Sequence, residues 1–279
     1  YSYVAQRDTS GHGTLMASIS AGSYTDGYVG VAPGAELLVV KLKQSKQYLR
    51  DFFLIKDDVP AFEESDIMLA LRFLEDYAIR LGKPLIIIFG LGSANGSRTG
   101  ASPLAEMMEN LTKKPNISVI TCMGNEANNK CHYKGTVMSA LVPDVMEINV
   151  DGTGKGFTME IWADSLDILS VSIESPSGEY VPRIPARMGA SMEYTFLYEG
   201  STVTVDYQIT ENVAGMEVIF VRLKTPVEGT WKFYIYSLTN IKGSYNAWLP
   251  LKQFSGQDIY FLKSDPDTTL TVPAAGDGG

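Results

Sequence analysis

One of the two histidines in this 279-residue chain, His12, stands between glycines in the run Ser10-Gly11-His12-Gly13-Thr14. A histidine can act as a general base because its ring titrates near neutral pH, provided that the ring is held in one orientation and is open on one side. The flanking glycines permit a tight turn and a close approach of the backbone to a bound molecule. We therefore expect His12 to begin a buried helix and to face a cleft. The alternative is a loop histidine that precedes an ordinary helix.

Two further segments accompany His12. The run Gly30-Val31-Ala32-Pro33-Gly34-Ala35 precedes the apolar residues Leu37–Leu42, and the apolar run Ile117–Met123 ends in Gly124-Asn125-Glu126. In their order and approximate spacing, the three segments resemble the subtilisin-like serine peptidases (subtilases), and this resemblance covers residues 1–132. It implies an endopeptidase that hydrolyses peptide bonds by Ser-His-Asp catalysis and takes a protein or peptide as its partner.

The resemblance also assigns roles to single residues. It makes His12 the catalytic base, and it makes Asn125 the residue whose side-chain N–H stabilises the developing oxyanion. The alternative for Asn125 is a turn residue that caps the end of a strand. Gly90, Leu91 and Gly92 would form the edge strand and floor of the substrate cleft, where their backbone groups can pair with an extended peptide. The family often has Ser-Leu-Gly here, so Gly90 departs from it; the glycines could equally form a strand-end turn.

Two parts of a serine peptidase site are missing from the sequence. The orienting aspartate should lie several tens of residues before the histidine, and Asp8 is too close to belong to a separate strand. We interpret Asp8 as a loop or helix N-terminal residue. The nucleophile motif, Gly-Thr-Ser followed by a small residue and Pro, does not occur, and Ser102 before Pro103 is interpreted as a helix N-cap.

These gaps lead us to expect an internal fragment of a larger subtilase. The fragment would be inactive alone, and its parent would be an endopeptidase that can also bind its own propeptide. The alternative is a pseudoprotease, a subtilase scaffold used for sensing or partner binding. The family is commonly exported or spore-associated, which makes an extracellular or spore-associated location the expectation.

The elements that must position these residues alternate between helix and strand in residues 1–132. Gly82 and Pro84 mark the end of the longest helix. Continuous apolar strands are typical of a parallel sheet that is covered on both faces. This alternation predicts a three-layer α/β core. The predicted helices are 14–21, 63–81 and 103–111, and the predicted strands are 37–42, 84–89 and 117–123.

From residue 133 to residue 261 the pattern changes to short alternating runs separated by turns, which predicts an all-β sandwich of jelly-roll type. Residues 262–279 again resemble the subtilase core, so the sandwich would be an insertion in one peptidase domain. This layout, with Ser97–Gly100 and Phe157–Trp162, is similar to the spore-germination (Csp-type) subtilases of spore-forming anaerobes. The predicted strands are 145–150, 157–162, 168–173, 194–198, 202–208, 216–223, 231–236 and 247–251.

Composition excludes several other classes of function. The net charge of −9 and the pI near 4.8 argue against nonspecific binding of nucleic acid, which depends on clustered Lys and Arg. No run of 18 apolar residues is present, so we expect no membrane span. We expect no cofactor.

Metal, disulfide and carbohydrate sites are also possible in principle. Cys131-His132 lacks a second ligand pair, Cys122 and Cys131 occupy settings too different for a disulfide framework, and the acidic turn residues Asp151, Asp164 and Asp167 follow no EF-hand pattern. We therefore predict no metal site and interpret the three aspartates as solvated. The sandwich could bind carbohydrate through its tryptophans and several tyrosines, although residues in alternating strands more often fill a core. These tryptophans are Trp162, Trp231 and Trp248.

Overall fold

The computed structural model describes residues 5–164, 167–187, 189–210, 215–239, 241 and 243–266. Residues 267–279 lie outside this part of the chain, and they contain most of the segment that we expect to rejoin the α/β core. Residues 262–266 remain in contact with the sandwich, since the Asp265 N–H donates to the His132 carbonyl over 3.0 Å.

In the described residues, four α-helices precede the sandwich, and for two of them the sequence explains where they begin or end. In α3, Glu64 and Asp66 lie in the first turn, where their negative charges interact favourably with the helix dipole. Gly82 ends the helix with a φ of 63°, in the left-handed region. In α4, the Ser102 side chain accepts from the Ala105 N–H over 3.1 Å, which confirms the predicted N-cap. The helices are α1 (His12–Ala21), α2 (Gln47–Phe52), α3 (Glu64–Leu81) and α4 (Pro103–Thr112).

Two parallel strands, β1 (Leu85–Phe89) and β2 (Ile117–Thr121), lie beside α3 and α4. One side of this sheet packs on the helices, while Ile86, Ile88 and Ile120 on the other side are exposed. The described residues thus form two strands of the expected parallel sheet with helices packed on one face, rather than three full layers. The buried cluster between helices and sheet contains Leu71, Ile87, Phe89, Leu104, Met108 and Leu111.

The predicted strand Leu37–Leu42 was wrong. The segment is irregular, and Leu37 and Val39 are 55% and 71% exposed while Leu38 and Val40 are half-buried. This alternation is that of an extended chain, but a strand also requires hydrogen bonds to a neighbouring strand, which the described residues do not supply. Ion pairs to Lys83 and Asp66 hold the two ends of the segment, through Glu36 and Lys43 respectively.

Within the described part of the chain, eleven antiparallel strands form two sheets that share one buried cluster. The six-stranded sheet has the order β3-β12-β5-β10-β9-β8, and the five-stranded sheet has the order β13-β4-β11-β6-β7. In β4 and β11 of the five-stranded sheet, alternate residues are buried, as expected where one side of the sheet faces the shared core. In the six-stranded sheet, residues 156–163 of β5 are all buried, so the outer side of that strand is covered as well. The strands are β3 (His132–Thr136), β4 (Asp144–Asp151), β5 (Gly156–Asp164), β6 (Leu169–Glu174), β7 (Tyr180–Ile184), β8 (Ser191–Thr195), β9 (Thr202–Thr210), β10 (Met216–Lys224), β11 (Gly229–Ser237), β12 (Ser244–Trp248) and β13 (Asp258–Phe261).

The prediction missed three of these strands, β3, β7 and β13, and placed β8 and β12 three residues too late. Strand β7 contains Pro182 and Arg183, so its apolar pattern is weak. It pairs with β6 alone, at the edge of its sheet, where a proline is tolerated. A 3-10 helix at Lys252–Phe254 occupies the stretch just after the predicted end of β12.

The three tryptophans are buried and offer no aromatic platform. Trp231 lies in the shared core with its ring 5.0 Å from that of Phe196, and Trp162 and Trp248 form a smaller cluster with Val218. The carbohydrate site suggested for these residues is therefore wrong. The interpretation of Asp167 as solvated is also wrong: it is buried, and its carboxylate accepts from the backbone N–H groups of Ile241 and Gly243.

The α/β part contacts the outer side of the six-stranded sheet at α2. The Phe52 ring stacks on the Phe220 ring of β10 at 5.7 Å, and the Arg222 guanidinium lies 4.5 Å from the Phe52 ring centre. Lys155 forms an ion pair of 2.6 Å with Asp57, just after the helix. None of the described helices is long and apolar enough to cross a bilayer.

Candidate active site

His12 is the first residue of α1 and is exposed. Gly11 precedes it at φ 80°, in the left-handed region that favours glycine, so the predicted tight turn before the helix is present. His12 therefore begins a helix, as the sequence predicted. The expectation that this helix is buried was wrong, because Ala21 is the one residue of α1 that is buried.

Asp8 organises the turn that leads into α1. Its carboxylate accepts hydrogen bonds of 2.8–3.2 Å from the backbone N–H groups of Ser10, Gly11 and Thr14 and from the hydroxyls of Ser10 and Thr14. These donors, led by the Thr14 N–H, hold the pKa of the Asp8 carboxyl well below its usual range. Asp8 is therefore a charged cap of the helix that carries His12, in agreement with its interpretation as a helix N-terminal residue.

Gly90 brings the end of β1 against this helix. A Cβ atom at Gly90 would lie 3.7 Å from the His12 Cε1 atom and 2.7 Å from the Met16 Cε atom. Met16 stands one turn after His12 and therefore on the same side of α1. The terminal methyl group of Met16 occupies the space that a side chain at position 90 would need, which accounts for glycine at a position where the resembling family often has serine.

The end of β2 is joined to the same place through Cys122. The Cys122 thiol donates to the Leu91 carbonyl over 3.5 Å, and the two strands end opposite each other, with Phe89 paired to Thr121. Carboxyl ends of parallel strands meet at one edge of a sheet, which is where α/β proteins place their ligand sites. Residues 90–92 and 122–125 therefore leave the sheet at the same edge.

Asn125 lies in this second connection, three residues after Cys122. It follows Gly124, whose φ is 92°, and its backbone N–H donates to the Glu126 carboxylate over 2.7 Å. Asn125 is exposed. Its position in an exposed turn beyond the sheet edge leaves the side chain accessible, which an oxyanion donor requires.

Gly90, Leu91 and Gly92 continue from β1 without being part of it. The predicted edge strand was wrong in this detail, since β1 ends at Phe89. All three residues are half-buried, and the Leu91 side chain packs against the cluster of α3, α4 and the sheet. The thiol of Cys122 already uses the Leu91 carbonyl, so an added peptide would pair with the Leu91 N–H and with the backbone groups of the two glycines.

Sequence analysis missed two residues of this arrangement, Met16 and Cys122. The signal for Met16 was its spacing of four from His12, which places both on one helix face. Cys122 was included in the predicted strand 117–123, but it lies just after β2 and is half-buried. Both cysteines are free, and the described residues include no group of three or more His, Cys, Asp or Glu side chains that could hold a metal ion.

The comparisons with known proteins agree on a fold. The model of the subtilase family of peptidases matches residues 2–149. Among solved structures, the Clostridium perfringens CspB protease superimposes with a TM-score of 0.81 at 23% sequence identity, over 98% of this chain and 55% of that chain. The chain thus spans about half the length of this structural relative, and the likeness at this identity shows the fold alone. No curated protein matches the sequence.

Proposed function

This chain belongs to the subtilase family of serine peptidases, and on that premise we propose that it is part of the catalytic core of a serine endopeptidase. The observation that carries the proposal is the approach of His12 to Gly90, with a gap of 3.7 Å between its Cε1 atom and the place of a Cβ atom. This contact joins the candidate base to the backbone on which an extended substrate would lie.

Each part of the site then has a role in peptide hydrolysis. His12 takes the proton from a serine nucleophile and returns it to the leaving amine. The Asn125 side chain donates to the oxyanion, an interaction worth about 3–4 kcal/mol of transition-state stabilisation in subtilisin, itself a member of this family. Gly90, Leu91 and Gly92 bind a protein or peptide substrate through backbone pairing, or the parent's own propeptide in the same way.

None of these residues supplies the serine nucleophile or the aspartate that orients the histidine. Ser102 caps α4 and Asp8 caps α1, so neither is free to complete the site. We propose that both missing groups come from polypeptide beyond these 279 residues and that the chain alone does not hydrolyse peptides. The test is turnover of a peptide anilide by the chain and by its His12→Ala variant. Equal, background rates are expected, and turnover that disappears in the variant would contradict the proposal.

A second candidate function is a pseudoprotease, a subtilase scaffold used for sensing or partner binding. A fluorophosphonate probe applied to the parent protein separates the two, because it labels an activated serine. Labelling supports the peptidase, and its absence in folded parent protein supports the pseudoprotease. An exported or spore-associated location stays part of the proposal, and fractionation of the source cells with an antibody against the chain tests it.

We also propose that residues 133–261 form a jelly-roll domain inserted in the peptidase core, between residues 1–132 and 262–279. The shared core of the two sheets supports this, because all of its buried residues except Cys131 belong to residues 133–261. Expression of the segment alone tests the boundaries. A cooperative thermal transition and slow amide exchange in β5, β10 and β11 are expected, and an unfolded product would contradict the proposed domain.

A further inference from the structure

The loop that follows Gly92 is bound to the sandwich. We call residues Ser93–Thr99 the anchor loop. Within it, the Gly96 N–H donates to the Glu160 Oε2 atom on β5 over 2.7 Å, and the Trp162 indole N–H donates to the same oxygen over 2.9 Å. One carboxylate oxygen of the sandwich therefore receives a backbone donor of the anchor loop and a side-chain donor of its own strand.

A second contact holds the anchor loop at Arg98. Its guanidinium lies 3.6 Å from the ring centre of Trp248, and it also reaches back to the Ala94 carbonyl at 3.4–3.5 Å. Trp248 on β12 is directly opposite Glu160 on β5. Ala94 is buried against Leu251 beyond β12. The anchor loop is thus attached to two neighbouring strands at one place.

Glu160 is 8% exposed, so the stability of its carboxylate depends on the groups that contact it. Burial raises the pKa of Glu160, while the two N–H donors and the charge of Arg98 oppose that rise. A buried carboxylate is costly unless it is hydrogen-bonded and near a positive charge. Loss of the carboxylate would therefore remove the acceptor that the Gly96 and Trp162 N–H groups share. It would also remove the negative charge near Arg98.

We propose that Glu160 is a positioning residue for peptide binding, acting through the anchor loop on Gly90–Gly92. The path is short: Glu160 accepts from Gly96, four residues after Gly92, while Cys122 donates to the Leu91 carbonyl at the other end. Met16 and His12 lie beside Gly90. Gly90–Gly92, to which the proposed function gives substrate pairing, contains the attachment to Cys122 and leads directly into the anchor loop, so the inference rests on that proposed function. In this arrangement the sandwich fixes one wall of the substrate groove.

Amide hydrogen exchange of the chain tests the positioning without any need for activity. In Glu160→Ala, exchange in residues 93–99 should accelerate by about tenfold or more relative to the unchanged chain. Glu160→Gln keeps an oxygen acceptor for Gly96 and should stay within about threefold of it. The matched control is Glu217→Ala, also in the six-stranded sheet and 6% exposed, whose carboxylate accepts from the Leu169 N–H instead. Equal acceleration of the anchor loop in Glu160→Ala and Glu217→Ala, or none in either, would overturn the proposal.

The KM of the parent protein for fluorescein-labelled casein tests the link to substrate. Glu160→Ala should raise KM by about tenfold with little change in kcat, and Glu160→Gln should restore most of the affinity. Faster loop exchange with an unchanged KM would overturn the role in peptide binding. A parent without casein hydrolysis would contradict the proposed function, and the exchange result would still decide whether Glu160 positions the loop.

Discussion

Met16 is the residue on which the local arrangement of the candidate site depends most directly. It fills the space over Gly90 that a side chain would otherwise take, beside the ring of His12. Because its thioether is flexible, Met16 can be displaced from this space at a lower cost in free energy than backbone atoms could be. A small side chain at position 90 is therefore expected to move Met16 and to change the surroundings of His12 without unfolding the chain.

Gly90→Ala makes this expectation measurable. The added methyl would lie 2.7 Å from the Met16 Cε atom, so we expect a loss of about 1 kcal/mol in the free energy of unfolding, at the low end for overpacking. The Cε1 proton of His12 should change its NMR chemical shift, while that of His132, stacked on Trp248, should not. Gly34→Ala is the control, since a Cβ there meets open space. The same His12 shift in both variants would show that the contact with Gly90 is not its cause.

At the scale of elements, α3 anchors the helices to the parallel strands through a narrow apolar face. Leu71 is 2% exposed in the cluster with Ile87 and Leu104, whereas Leu69 on the same helix is 65% exposed. The Glu64 carboxylate at the start of α3 also accepts from the Leu104 N–H at the start of α4 over 3.1 Å, which ties the two helices together. The two strands that lead to the site thus pack on one helix pair, α3 and α4.

Leu71→Ala should lower the free energy of unfolding of this part of the chain by about 2–5 kcal/mol, because it removes buried methyl groups and leaves a cavity. The same substitution at Leu69 should change it by about 0.5 kcal/mol or less. Urea denaturation followed by far-UV circular dichroism measures both. Similar losses for the two variants would mean that α3 does not pack as described.

At the scale of the whole molecule, the sandwich contains an ionisable group that links its stability to pH. Glu217 is 6% exposed, and burial raises its pKa to about 7, with the nearby Asp167 carboxylate adding to the rise. The unfolded chain releases this proton near pH 4.3, about the ordinary pKa of a glutamate. Between these values the folded state holds a proton that the unfolded state has lost. The contribution of Glu217 to stability is therefore largest below about pH 4.3 and declines as the pH rises to about 7.

Glu217→Gln should remove that decline. At pH 8 the variant should be more stable than the unchanged chain, by at most about 4 kcal/mol, and at pH 4 the two should differ little. Thermal denaturation across pH 4–8 measures the effect, with Glu193→Gln, at an exposed position of the same sheet, as the control. A variant less stable than the unchanged chain at pH 8 would show that the ionised carboxylate stabilises the fold.

The sequence by itself determined the features that depend on neighbours along the chain. The helix start at His12, the cap at Ser102, the end of α3 at Gly82 and most of the sandwich strands follow from short-range stereochemistry and apolar periodicity. The family resemblance was equally readable, because its motifs are local runs of residues.

Only the tertiary structure decided what depends on distant partners. Leu37–Leu42 has a strand's composition but lacks a neighbouring strand among the described residues, and β7 has a weak pattern but gains one in β6. Met16 over Gly90, Cys122 at Leu91 and Glu160 at Gly96 join residues 31 to 74 positions apart. Hydrogen bonding and close packing act through space, so their partners become visible only when the chain has folded.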